Sequence, residues 1–174
     1  MICPSLPARL IAATLLALAG CASSPHGPTR IVGPAPRGQG EAISFWVGPT
    51  GFSARRVLVT LQPDGHGLFD GQRGTTQPGR YAFDMAPTDY RAFVDLLAPL
   101  RPDEGAWSVT PGDAGCENWG TDSPTVVVTW QDRTGTMRQF SYDYGCDYNG
   151  DAPISVVLNR ARELLPIDEL VARR

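Results

Sequence analysis

The residue types that come closest to chemistry lie near the C-terminus, in the run Asp143-Tyr-Gly-Cys-Asp147-Tyr-Asn149-Gly-Asp151. Asp147, Asn149 and Asp151 have the D-x-N-x-D spacing that opens many calcium loops. An EF-hand loop would continue with Gly at position 152 and Glu at position 158. The chain has Ala152 and Leu158 there. A turn leading into an Asp151 N-cap accounts for the same residues. Asp143, Asp147, Glu117, Asp122, Asp113 and Glu104 could supply paired carboxylates. Glycoside cleavage, however, needs two carboxyls at a defined separation across a cleft, and acids in loops are usually solvated. His66 is the one histidine of the folded part, inside Pro63-Asp-Gly-His-Gly67. No G-x-S-x-G accompanies it, so it reads as a solvated turn residue. All fifteen basic residues are Arg, which excludes a lysine nucleophile or Schiff base. No catalytic constellation, metal site or cofactor site is recognisable.

Aromatic residues surround the same region: Trp107, Trp119, Tyr142, Tyr144 and Tyr148. Aromatics beside acids suit a sugar, a peptide or a partner protein. The candidate binding surface is therefore Trp107, Trp119 and Tyr148 with Asp147, Asn149 and Asp151. The competing account puts Tyr142 and Tyr144 in the core and Trp119 on a cystine. Cys116 and Cys146 bracket the segment. Of the remaining cysteines, Cys3 falls in an apparent leader and Cys21 at its end, so in an oxidising compartment these two are left to pair. Two buried thiols or a metal pair are the alternatives. No His or third Cys lies close by in sequence, which disfavours zinc.

The elements that must position these groups are legible as periods. Thr125–Trp130 and Thr136–Tyr144 alternate, with Val126, Val128 and Trp130 on one face and Phe140, Tyr142 and Tyr144 on another, which predicts a hairpin. Ala42–Val47 predicts a first strand, Arg55–Gln62 a second, Leu68–Asp70 a third and Arg80–Asp84 a fourth. Pro63–Gly67 is a turn signal between the second and third. Residues 103–124 read as a polar loop. Tyr90, Phe93, Val94 and Leu97 fall on one helical face after Pro87, with Pro99 and Pro102 ending the helix. Ile154, Val157, Leu158, Ala161 and Leu165 form a second helical face after Pro153. Pro166 stops that helix, and the tail from Ile167 adds a further turn. Strands, helix, hairpin and helix in that order predict an α+β fold: a single domain, mainly an antiparallel sheet with two helices packed on one face.

The N-terminus reads as an address. Arg9 precedes the apolar run Leu10–Ala19, short for a membrane span and right for a secretory signal. Leu18-Ala19-Gly20-Cys21 resembles the bacterial lipobox, which implies acylation at Cys21 and stable anchoring by several chains. Ala22 and Ser23 follow where an Asp would favour inner-membrane retention, so outer-membrane placement facing the periplasm is expected by analogy. Residues 1–20 are then a lipoprotein signal peptide, 21–40 a lipidated terminus and disordered tether, and 41–174 the α+β domain. The tether, with four Gly and four Pro among residues 22–40, would reach on the order of 24 Å as a flexible coil. Loss of residues 1–20 leaves 15 − 1 = 14 arginines against 18 acids, a net charge that argues against nucleic acid as a partner.

From Ile43 onward the chain also resembles a family of uncharacterised bacterial envelope proteins. The resemblance rests on Gly48-Pro49, Val57–Leu61, Pro63–Gly67, Tyr90–Phe93, Leu100–Pro102 and Tyr144-Gly145-Cys146. That family often carries a C-F-G-x-C-P-x-Y segment after the first strand. The corresponding stretch is Thr50–Val57, with Thr50 and Ala54 where the cysteines would be. The resemblance implies an envelope location and a small α+β domain, and no activity. The expectation is a lipid-anchored, non-enzymatic domain that binds an envelope protein or a cell-wall component. The alternative is a small-ligand or metal-binding periplasmic module.

Overall fold

Period-2 alternation of β-branched and aromatic residues builds a seven-stranded sheet. The computed structural model describes residues 39–48, 56–72, 75, 78–147 and 152–172, without the side chains of 170–172. They fall in one compact unit. The strands are β1 (Ala42–Val47), β2 (Val57–Leu61), β3 (His66–Gly71), β4 (Gly79–Asp84), β5 (Ala106–Val109), β6 (Thr125–Gln131) and β7 (Met137–Asp143). The helices are α1 (Pro87–Leu97), α2 (Pro153–Glu163) and α3 (Ile167–Ala172). Strand order is β4-β3-β2-β1-β6-β7-β5. Every pairing is antiparallel except β5 with β7. The architecture is α+β, as the element order predicts.

Register aligns like with like across the whole sheet. One row runs Tyr81, Phe69, Val59, Phe45, Val128, Phe140, Trp107, one residue from each strand. The next holds Phe83, Gly67, Leu61, Ile43, Trp130 and Arg138. These rows make the face that the helices cover. Phe93 and Leu97 of α1 and Leu158 and Ala161 of α2 join the strand residues in one buried cluster, and the two helices touch each other. Phe45 meets Phe93 edge to face at 6.2 Å. Burying a side chain of this size contributes roughly 1.5–3 kcal/mol. The other face mixes Ser44, Thr60, Thr129 and Ser141 with Trp46, Leu58, Leu68 and Val127; Ser44 and Thr60 share a hydroxyl hydrogen bond of 3.2 Å.

Proline and glycine set the corners. Both long helices begin with Pro at their first position, after Ala86 and Ala152, and neither has a side-chain cap. Proline suits that position because its missing N–H has no intrahelical partner there. The N-cap position of the second helix is Ala152, and Asp151, expected there, lies outside the described residues. The Asp147 carboxylate instead accepts the Ala152 N–H at 3.1 Å. Past α1 the chain tightens into a 3₁₀ turn, Ala98–Leu100, that absorbs Pro99. Gly65 adopts φ +86° in the β2–β3 turn, a conformation costly for any residue with a Cβ. Gly67 answers a second need, since a Cβ there would run into the Phe83 ring.

Residues 103–124 are not all loop, because they contain β5. The last strand stops at Asp143, and Tyr144–Cys146 form a 3₁₀ turn in which Asp143 accepts the Gly145 N–H. Among the described residues no helix is long and apolar enough to cross a membrane.

Candidate functional site

Topology alone puts a cap over one end of β7. β5 and β6 flank β7 on either side. Val109, the last residue of β5, lies beside Tyr142, and Thr125, the first of β6, lies opposite Asp143. The segment 110–124 must therefore pass over the C-terminal end of β7. Cys116, in the middle of that crossing, is disulfide-bonded to Cys146, just past β7, with 4.9 Å between the Cα atoms. The crossing is laced further by Gly120 N–H to the Gly145 carbonyl at 2.9 Å and Tyr144 N–H to the Pro124 carbonyl at 2.9 Å. Gly145 is buried so tightly under the strap that a Cβ would meet the Gly120 oxygen. From below, Tyr142 and Ser155 share a buried hydroxyl bond of 2.9 Å, and the Tyr144 hydroxyl donates to Asn159 Oδ1 at 2.9 Å. The cap thus stands on α2.

The acids of this region order the chain. Asp113 Oδ2 accepts from Ser108 Oγ at 2.7 Å, from the Thr110 N–H at 2.9 Å and from Thr110 Oγ1 at 2.8 Å. Those bonds, the Ser108 hydroxyl first, hold its carboxyl below the usual range. Glu117 is lowered too, chiefly by the Gly115 N–H. Asp143 accepts the Gly145 N–H at 2.7 Å. A glycosidase acid needs a raised value, so that it still carries a proton near neutrality. Asp113 and Glu117 move the other way. Thr110-Pro-Gly-Asp113 was a readable turn signal for this arrangement.

Two tryptophans stay open beside this ordered backbone. Trp107 on β5 is 41% exposed and Trp119 in the strap 48%. Trp107 leans on Phe140, with ring centroids 4.7 Å apart and the planes tilted by 49°. Trp119 stands outside the core, next to the docked Gly120. Tyr142 is buried, and Tyr144 packs on it edge to face at 5.4 Å. Of the candidate surface, Trp107 lies on β5 opposite Phe140, Trp119 in the strap, and Asp147 at the end of the 3₁₀ turn past β7. Tyr148, Asn149 and Asp151 lie outside the described residues, as does Cys21. Among the described residues no three His, Cys, Asp or Glu side chains gather as a metal group.

Sequence reasoning missed two further polar sites. His66 is not simply a solvated turn residue. Its Nδ1 lies 3.0 Å from Asp84 Oδ1 on the neighbouring strand, and Asp64 accepts the His66 N–H at 3.0 Å. Beside that turn is an open cleft of about 300 Å3, lined by Pro63, Asp64, Gly65, Pro87, Tyr90 and Arg91. Burial raises the Tyr90 hydroxyl above its ordinary value, with Asp64 and Glu41 adding to the effect. Behind it, Glu41 accepts Arg101 Nε and Nη2 at 2.8 Å each and Arg138 Nη1 at 3.0 Å. Neither a scan against protein-family models nor a search of curated proteins finds a match to the chain.

Proposed function

We propose that this chain is a lipid-anchored cell-envelope protein whose folded domain is a non-enzymatic binding module. Its working surface is the β7 cap, and the ligand is an envelope protein or a cell-wall component. What supports the reading is two exposed indoles, Trp119 on the disulfide-braced strap and Trp107 on the strand that leads into it. Exposed tryptophan offers a large rigid face plus one N–H donor, which suits sugar rings and peptide side chains alike. Bracing lowers the ordering cost of docking, so little affinity is lost on binding. Asp113, Glu117 and Asp147 add negative charge around the indoles, which favours ligands bearing donors or positive charge. The anchor rests on the Leu18–Cys21 lipobox resemblance and the Gly/Pro-rich tether.

The test is in-cell crosslinking of the full-length protein followed by mass spectrometry, with Cys21→Ala, Trp107→Ala and Trp119→Ala run alongside. One reproducible envelope partner is expected. It should be lost with either indole and depleted when Cys21→Ala frees the domain from the membrane. A partner indifferent to both indoles would remove the cap from consideration. Membrane association that survives Cys21→Ala would remove the anchor.

A second reading, a small-ligand or metal-binding periplasmic module, is favoured by the cleft at Asp64, Tyr90 and Arg91, which has the size of a small-molecule site and a few convergent polar groups. A melting-shift screen of metals, sugars and muropeptides separates the two. A shift that disappears in Tyr90→Phe but persists in Trp119→Ala would move the function to the cleft.

A further inference from the structure

Among the described residues β4 pairs with no strand on its outer side, and its hydrogen-bonding pattern can be read residue by residue. In antiparallel strands, directly opposed residues alternate between pairs that exchange both backbone bonds and pairs that exchange none. Met85 N–H bonds the Gly65 carbonyl at 3.0 Å, and these two residues are opposed in the β3–β4 register. Counting on, 67/83, 69/81 and 71/79 are bonded pairs, and 66/84, 68/82 and 70/80 are not. The far side of β3 agrees. Gln62 N–H bonds the His66 carbonyl and Gln72 N–H bonds the Arg56 carbonyl, which sends His66, Leu68 and Asp70 toward β2. The N–H and C=O groups of Arg80, Ala82 and Asp84 therefore point outward from the sheet.

Edge strands are commonly blunted by proline, a bulge or unpaired charge. β4 has no proline, and its register with β3 is unbroken over all six residues. Its two charges are placed symmetrically in Arg80-Tyr-Ala82-Phe-Asp84. Arg80 touches Asp70 with its side chain still 69% exposed, and the Asp84 side chain is 87% exposed.

We infer that β4 pairs with β4 of a second copy of this chain, antiparallel, with the two-fold axis at Ala82. In that register Ala82 meets Ala82, and each Arg80 meets the Asp84 of the other copy. The three outward residues of each strand then exchange six backbone hydrogen bonds. Tyr81 falls opposite Phe83 twice, in the closer, non-bonded pairs, on the face the helices cover. Cross-strand pairs of opposite charge and of aromatic rings are favourable. Axes at Arg80 or at Asp84 would bring like charges face to face, and axes at Tyr81 or Phe83 would set Arg80 or Asp84, respectively, opposite Ala82, so only the axis at Ala82 pairs opposite charges. The interface is isologous, as closed two-fold dimers require. It leaves the β7 cap free, since β4 and β5 are opposite edges of the sheet.

The test uses the full-length protein in cells with Ala82→Cys. Cα atoms of a bonded antiparallel pair lie about 5.5 Å apart, within the span of a disulfide. A non-reducing gel should show a band at twice the monomer mass, absent from the control Asp95→Cys on the exposed side of α1. Adding Arg80→Asp should abolish that band, and adding Asp84→Arg as well should restore it. Without any cysteine change, the protein should sediment as a dimer. Ala82→Pro should sediment as a monomer with an unchanged circular dichroism spectrum, because it removes only an outward N–H. Crosslinking no better than Asp95→Cys, a band indifferent to the charge reversals, capture of a different protein, or a monomer at roughly 100 µM, where even weak pairing would show, would each overturn the inference.

Discussion

Tyr144 sits where the cap meets α2, and its ionisation reports on that joint. Burial is the main cause that pushes its hydroxyl up, to about 12. The nearby Arg162 pulls the other way, while Tyr142 and Asp147 add to the rise. In the unfolded chain the same group titrates near its model value of 10.0. The folded state therefore holds the proton more tightly. The resulting stability is fully present below pH 10 and is lost as pH rises from 10 through about 12. Tyr142 is raised as well, again chiefly by burial. Tyr144→Phe should make the alkaline fall in stability shallower by one proton in that window. At neutral pH it should cost only the hydrogen bond to Asn159, about 0.5–1.5 kcal/mol. Urea melts at pH 8, 10 and 11.5 check this; an alkaline slope identical to that of the parent would show that Tyr144 is not held as described. The sequence made Tyr144 look like a strand residue on the face of Phe140 and Tyr142. Its real position follows from Asp143 accepting the Gly145 N–H, a local bond that ends the strand and was open to inspection. The His66–Asp84 contact was not, because it depends on a register set eighteen residues away.

At the scale of elements, the periodic segments were legible, the edge strand β4 among them. β1, the β6–β7 hairpin and both long helices announce themselves through repeated burial of alternate or helically spaced residues. β5 does not. It is four residues long, and only Val109 is buried. Its partner β7 arrives later in the chain and runs parallel, so no hairpin signal marks it. The strap inherits its course from β5, which is why the cap could be proposed from composition but not traced. Its energetic centre is the cystine. In the chain-entropy view, closing a loop of this length contributes roughly 3.7 kcal/mol, with measured bonds spread around 2–4. Replacing both cysteines, Cys116→Ser with Cys146→Ser, should therefore lower stability by about 2–4 kcal/mol. The far-UV spectrum should persist, because the sheet and helices have their own core. Emission from Trp119 should change, since the strap would then depend on the Gly120 and Pro124 backbone bonds alone. A denaturation midpoint unmoved by the double replacement would mean that those bonds suffice.

At the scale of the whole molecule the sheet joins two stretches of chain. β1 to β4 pair in sequence order as an antiparallel meander, and β5 to β7 form the capped end. Among the described residues the only strand pairing between them is β1 with β6, where Ile43 lies opposite Trp130 and Phe45 opposite Val128. That seam is the least local contact of the sheet, and its inward residues belong to the same buried cluster as those of both helices. Phe45 occupies its centre, between Val59 and Val128, with the edge of Phe93 against it. Truncating it should strip packing from both halves and from α1 at once, so its loss cannot be confined to one of them. Phe45→Ala should lower stability by about 3–5 kcal/mol, the usual cost of a large aromatic cavity. Because the seam couples the halves, unfolding should stay all-or-none. Far-UV circular dichroism follows the whole sheet, while tryptophan emission is weighted toward the capped end, which holds Trp107, Trp119 and Trp130. The two should lose signal at the same denaturant concentration in the parent and in the variant. If emission outlasted the far-UV signal in Phe45→Ala, the capped end would be folding on its own. The β1–β6 seam would then be a contact between two independently stable parts, and the cap could be studied apart from β1 to β4.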